Sequence, residues 1–124
     1  TVVRVAHNRL RVCQEEVFGP LVTVQTVRDA AEAVAVANDT SLGLAGYVWT
    51  EDEARAHNVA DQLRAGTVLI NTPMVREKSA PFGGFGASGV DREGGRWSLD
   101  FYSEAKATVA RKLTQTSGTR EQAA

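Results

Sequence analysis

The chain has 124 residues, 14 Lys and Arg against 15 Asp and Glu, a formal net charge of −1 and 43% hydrophobic residues. That suits one domain, large enough to bury roughly two-thirds of the surface its unfolded chain exposes without help from disulfides. The basic residues are scattered, which leaves out a nucleic-acid footprint and a basic membrane patch; no apolar run approaches the ~18 residues of a membrane span, no signal-peptide pattern opens the chain, and a cytoplasmic location is expected by default.

In chain order, Thr1 to Val5 is β-branched and predicts a strand, followed by a turn over Ala6 to Arg9. Glu15-Glu16-Val17-Phe18-Gly19-Pro20 then forms a corner: Pro20 has a fixed φ and no N–H, and Gly19 tolerates backbone angles that other residues avoid. Leu21 to Thr26 predicts a second strand. Thr26 lies three residues before Asp29, a capping spacing, and Ala30, Ala33, Val34 and Ala37 recur at helical period up to Asn38. Ala45 to Trp49 predicts the next strand, and Thr50 with Glu53 caps a helix that places Ala56, Val59, Ala60 and Leu63 on one face. Gly66 is expected to end it as a left-handed cap. Thr67 to Ile70 completes a β-α-β-α-β order, and the fold class expected is α/β with a parallel sheet covered by helices.

Between Asn71 and Arg96 sustained periodicity stops, and six glycines and two prolines accumulate, an uncommon length of loop unless it has a job. Trp97 to Glu104 predicts a short helix or turn, Thr108 to Lys112 a strand, and the small polar residues from Thr114 to Ala124 a disordered tail. No internal repeat or domain boundary is visible. The chain opens Thr1-Val2-Val3 and its one methionine is Met74; a piece of a longer polypeptide is expected.

Three patterns invite chemistry. The corner's carboxylates and phenyl ring suit a ligand with hydroxyls and a flat ring, such as a nicotinamide riboside; the plainer reading is a surface turn with two solvated acids and a core phenylalanine. Gly84-Phe85-Gly86-Ala87-Ser88-Gly89 matches G-x-G-x-x-G, but the nearest predicted strand ends near Ile70 and Gly94-Gly95 follow where a helix should run. A pyrophosphate loop needs both neighbours, so these glycines are read as a tight loop that lets backbone approach backbone. Cys13 excludes an internal disulfide and fits a reducing compartment. Flanked by Val12 and Gln14, with Glu15 and Glu16 disfavouring a thiolate, it is expected to be a buried or half-buried structural thiol. His7 and His57 lack metal-ligand spacing, no metal site is expected, and His57 is placed on the wet side of its helix.

Gln14 to Pro20, QEEVFGP, resembles the E-E-x-F-G-P segment of the aldehyde dehydrogenase superfamily, and Pro81 to Gly95, PFGGFGASGVDREGG, resembles its P-F-G-G-x-x-x-S-G-x-G-R-E-x-G segment. The two stand in the family's order and at about its separation, and the resemblance runs from about Thr1 to about Leu113. It implies an NAD(P)-dependent dehydrogenase oxidising an aldehyde to the acid, with Glu16 bonding the nicotinamide ribose hydroxyls, Phe18 packing beside the nicotinamide, and Glu15 solvated or structural. In this family the catalytic cysteine lies well upstream, so Cys13 does not match it. No catalytic residue is assigned to this chain, which alone is expected to be inactive without the missing N-terminal part of the same enzyme.

Arg76 stands where many family members line the aldehyde tunnel with an aromatic or apolar residue. A guanidinium there suits a substrate carboxylate. NTPMVREKSAPFGG, REGG and the Asp100-Phe101-Tyr102 run resemble the hydroxymuconic semialdehyde dehydrogenase branch, which implies a carboxylated semialdehyde and NAD. That branch shows R-D-L-R where this chain has Arg76-Glu77-Lys78-Ser79, and Asp91 stands where the family usually has glycine, tolerable at positive φ. Residues 1–107 then belong to the catalytic domain, 108–113 form a strand that joins a partner subunit in a homo-oligomer, and 114–124 form the tail. Two alternatives stay open: a non-catalytic oligomerisation or binding module derived from the family, and a dehydrogenase for uncharged aldehydes in which Arg76 pairs with Glu77 or another surface acid.

Overall fold

In the computed structural model, which describes residues 1–112, both pairs of strands are parallel. β1 (Val2–Arg4) pairs with β2 (Val22–Val24) in the register Val2 to Val22 and Arg4 to Val24, and the Val5 N–H extends the ladder to the Val24 carbonyl at 2.9 Å. The connection between them holds a short helix, α1 (Arg11–Gln14), and the Gly-Pro corner. β3 (Ala45–Val48) pairs with β4 (Thr67–Ile70), Ala45 opposite Thr67 and Val48 opposite Ile70. Two helices, α2 (Ala30–Asn38) between the strand pairs and α3 (Glu53–Gln62) between β3 and β4, complete the α/β order read from the sequence.

The expected sheet is divided: among the described residues β2 and β3 are not hydrogen-bonded to each other. Strands of three or four residues leave two short ladders. The helix starts also move. Asp29 caps α2, accepting the Glu32 N–H at 2.8 Å while Glu32 accepts the Arg28 N–H at 2.7 Å, and Asp52 caps α3 by accepting the Arg55 N–H at 2.9 Å. Thr26 and Thr50 are too far back for those N–H groups; Thr50 accepts instead from the Asp52 N–H at 3.2 Å. The Arg28 N–H and guanidinium hold the Glu32 carboxyl below the ordinary glutamate range.

Gly66 is not a left-handed cap. α3 ends in an extended Leu63 (φ −76°, ψ 128°), and Asn38 bridges the exit by donating to the Gln62 carbonyl and accepting from the Arg64 N–H, both at 2.8 Å. Gly66 serves a close approach instead: a Cβ there would run into the Gly83 carbonyl. The long loop thereby returns to the Ser41–Leu44 segment, with the Phe85 N–H on the Gly43 carbonyl and the Ala87 N–H on the Ser41 carbonyl, each at 2.8 Å. A single 3₁₀ turn over Gly86–Ser88 stands where a pyrophosphate loop would open a helix. α4 (Gly95–Tyr102) follows.

The chain does not bury the surface expected of a domain of its length. Only Val5, Val34, Val48 and Ala56 are buried hydrophobic residues among those described, while Phe18, Trp49, Met74, Leu99, Phe101, Tyr102 and Val109 are exposed. Large apolar side chains are therefore left uncovered by the described residues. Thr108 to Lys112 carries no strand pairing with the described chain, and Leu113 to Ala124 lie outside the described residues, with the last position of the expected oligomerisation strand and the expected tail. No helix among the described residues is long and apolar enough to cross a membrane.

Candidate functional site

The corner is built from α1 outward. The Glu15 N–H donates to the Arg11 carbonyl at 2.8 Å and closes the helix, and Glu15 itself is extended (φ −109°, ψ 141°). Its carboxylate receives the Arg11 fork in bidentate fashion, Nε to Oε1 at 2.7 Å and an Nη to Oε2 at 2.8 Å. This pairing holds the Glu15 carboxyl below the ordinary glutamate range and pushes the Arg11 guanidinium up. Glu15 is therefore engaged by Arg11 while both side chains stay exposed.

Glu16 lacks such a partner. It is exposed, and its carboxylate has no hydrogen-bond partner among the described residues. Two residues on, Phe18 sits at φ +53° with 91% of its surface exposed. The left-handed residue of the corner is thus the phenylalanine and not Gly19, which corrects the role read into the glycine. A bulky side chain at positive φ is uncommon and costs roughly 1–2 kcal/mol. Past it, the Leu21 N–H reaches back over Pro20 to the Gly19 carbonyl at 2.7 Å. Glu16, Phe18 and Thr23 line one hollow of about 320 Å³. Glu16 also borders a larger one of about 780 Å³, walled by Val34, Tyr47, Val48 and Trp49.

A carboxylate with no internal partner beside a bare aromatic ring fits a ligand that offers a pair of hydroxyls and a flat ring. These two residues could hold the nicotinamide riboside half of NAD. The plainer reading places Phe18 in a core, and among the described residues nothing packs over the ring, which is 91% exposed.

Arg76 lies in a different hollow, about 330 Å³ in size, lined with Lys78, Ala80 and Phe82. Its guanidinium carbon stands 5.2 Å from the centre of the Phe82 ring, and one Nη lies 3.5 Å from Oε1 of Glu93. The side chain keeps 74% of its surface exposed. Glu77 is not its partner: that carboxylate accepts the Ser79 N–H at 3.0 Å and hydroxyl at 2.8 Å, bonds that hold its carboxyl below the ordinary range. Glu93 is placed by its backbone, which exchanges two hydrogen bonds with Phe82 at 2.7 and 2.8 Å. Asp91 does not use positive φ; its carboxylate accepts the Arg92 N–H at 2.7 Å.

Cys13 is half-buried on α1, and His7 and His57 are exposed. No group of three or more metal-ligating side chains exists among the described residues. Sequence reasoning passed over Glu93 and the amides Asn8, Gln14, Asn38 and Asn71. The available signal was the position of Gln14, Asn38 and Asn71 at element ends, where unpaired backbone groups collect.

The chain is thus a parallel α/β chain that carries an exposed carboxylate and an exposed aromatic ring on a proline corner. The sequence profile of the aldehyde dehydrogenase family matches residues 1–108, and the chain belongs to that family. It is 46% identical over 100 residues to acetaldehyde dehydrogenase 2 of Cupriavidus necator, covering 81% of this chain and 20% of that protein. It is 44% identical over 104 residues to 2-aminomuconic 6-semialdehyde dehydrogenase of a Pseudomonas species, covering 84% and 21%. The crystal structure of an indole-3-acetaldehyde dehydrogenase complexed with NAD+ superposes with a TM-score of 0.80 at 43% identity, over 86% of this chain and 22% of that one. The chain thus spans about a fifth of the length of the curated relatives it matches.

Proposed function

We propose that this chain is the cofactor- and substrate-contacting C-terminal part of an NAD(P)-dependent aldehyde dehydrogenase that oxidises a carboxylated semialdehyde to the acid. The observation that carries the reading is the pairing of the unengaged Glu16 carboxylate with the exposed Phe18 ring at φ +53°. NAD, when bound, supplies the hydride acceptor. Glu16 accepts hydrogen bonds from the two ribose hydroxyls, and Phe18 covers one side of the ring that those bonds orient. Arg76 faces the substrate: Phe82 supports its planar fork, which receives the carboxylate remote from the aldehyde. The exposed stretch from Thr108 to Lys112, with Val109 94% exposed, pairs with a second subunit of a homo-oligomer.

A hydrogen bond to a charged group is worth about 1.5–3 kcal/mol, so in the full-length protein Glu16→Ala should lower kcat/KM for NAD+ by roughly ten- to a hundred-fold. Unchanged cofactor kinetics would sink the assignment. The 3.5 Å pair between Arg76 and Glu93 favours a second reading, an enzyme for uncharged aldehydes with a purely structural arginine. Arg76→Ala separates them: the first reading expects KM to rise far more for a carboxylated semialdehyde than for acetaldehyde, and the second expects equal effects.

A further inference from the structure

The amides of Asn8 and Gln14 join the corner to a distant helix. The Gln14 side-chain amide donates to two backbone carbonyls, those of Asn8 and Asp39, each at 2.8 Å. Asn8 donates from its own side chain to the carbonyls of Val36 at 3.3 Å and Asp39 at 3.1 Å, and to the Asp39 carboxylate at 3.0 Å. Asp39 is the C-terminal cap of α2, and the last carbonyls of a helix have no partner inside it. Two amides from the β1–β2 connection therefore close the end of α2. Gln14 is half-buried and is the last residue of α1, two positions before Glu16.

Only Glu15 separates the clamp from Glu16, and the Arg11 fork fixes Glu15. On the far side of the clamp, α2 supplies Ala33, Val34 and Ala37 to the hollow that Glu16 borders. Gln14 thus ties the segment that carries Glu16 to the helix that forms that wall. We propose that Gln14 is a positioning residue for the cofactor: by donating to the end of α2 it holds Glu16 and Phe18 where the ribose and the nicotinamide can meet them. This rests on the cofactor reading of Glu16 given above. It assigns a role in binding to a side chain that touches neither substrate nor cofactor.

Full-length protein carrying Gln14→Glu, Gln14→Lys or Glu16→Ala tests it, with NAD+ affinity read by titration calorimetry and kcat read at saturating NAD+. Glutamate keeps the shape of Gln14 but opposes two carbonyls with a carboxylate, whereas lysine keeps a donor of similar reach. Gln14→Glu is expected to weaken NAD+ binding about tenfold with kcat within about twofold, and Gln14→Lys to bind NAD+ within about twofold of the parent. If Gln14→Glu does not fold, Gln14→Met, of equal length and without a donor, takes its place with the same expectation. Equal weakening by the acceptor and donor variants, or NAD+ affinity in Gln14→Glu within twofold of the parent, would overturn the role of Gln14. If that parent-like affinity accompanies weakened binding in Glu16→Ala, the cofactor site stands and only the clamp fails. NAD+ binding unchanged in Glu16→Ala removes the cofactor site and the inference with it.

Discussion

Phe18 and Gly86 share nearly the same positive φ, +53° and +57°, for opposite reasons. At Gly86 the conformation serves packing: a Cβ would stand 2.5 Å from the Ser41 carbonyl, which already accepts the Ala87 N–H. The chain there has chosen the residue that fits without strain. At Phe18 a bulky side chain holds nearly the same φ and gains almost no contact from the rest of the described chain. Strain without an internal return is the mark of a side chain held for something outside. The glycine loop that matches a nucleotide-binding pattern serves packing, and the corner that carries the E-E-x-F-G-P resemblance is the candidate site.

That contrast breaks first at Gly86. Gly86→Ala combines a steric overlap with an unfavourable φ and should destabilise the full-length protein by about 1–3 kcal/mol, read as a lower denaturation midpoint. The fraction that remains folded should bind NAD+ as the parent does. A selective loss of NAD+ binding would return the glycine loop to the list of cofactor sites. Phe18→Asn sharpens the other half. Asparagine tolerates the left-handed region, so stability should rise by about 0.5–1 kcal/mol while NAD+ binding weakens. A variant that loses both stability and binding would show that the ring is packed in the whole protein and that its strain has a structural cause.

The smallest effect concerns the neighbouring carboxylate. Because Arg11 holds the folded Glu15 carboxyl below its unfolded value, the pair stabilises above the ordinary glutamate range, and the contribution fades as pH falls through the folded value. Glu15→Gln should therefore melt slightly below the parent at neutral pH and together with it in acid. Both groups are solvent-exposed, so the difference is small. A gap that widens toward acid would contradict the sign.

The strand and helix order was legible because periodicity is local: Ala56, Val59 and Leu63 lie on one helical face in sequence, and in the structure Ala56 is buried with Val59 and Leu63 half-buried beside it. The corner was legible through Gly19-Pro20, although the residue at positive φ proved to be Phe18. What stayed hidden depends on separations that a sequence window does not span. Gln14 reaches Asp39 across 25 positions and Asn38 reaches Arg64 across 26. Arg76 meets Glu93 across 17 rather than its neighbour Glu77, which is already engaged by Ser79. The division into two strand pairs was hidden for the same reason, since pairing partners are chosen in three dimensions.

The ribose-binding role proposed for Glu16 is tested most directly by NAD+ titration of full-length protein carrying Glu16→Ala. An exposed carboxylate with no internal partner can be truncated without harm to the fold, so the parent melting temperature should be kept while NAD+ affinity falls at least about tenfold. Parent affinity at the parent melting temperature would contradict the account, and Glu16 would then be one more solvated acid on the surface of the corner.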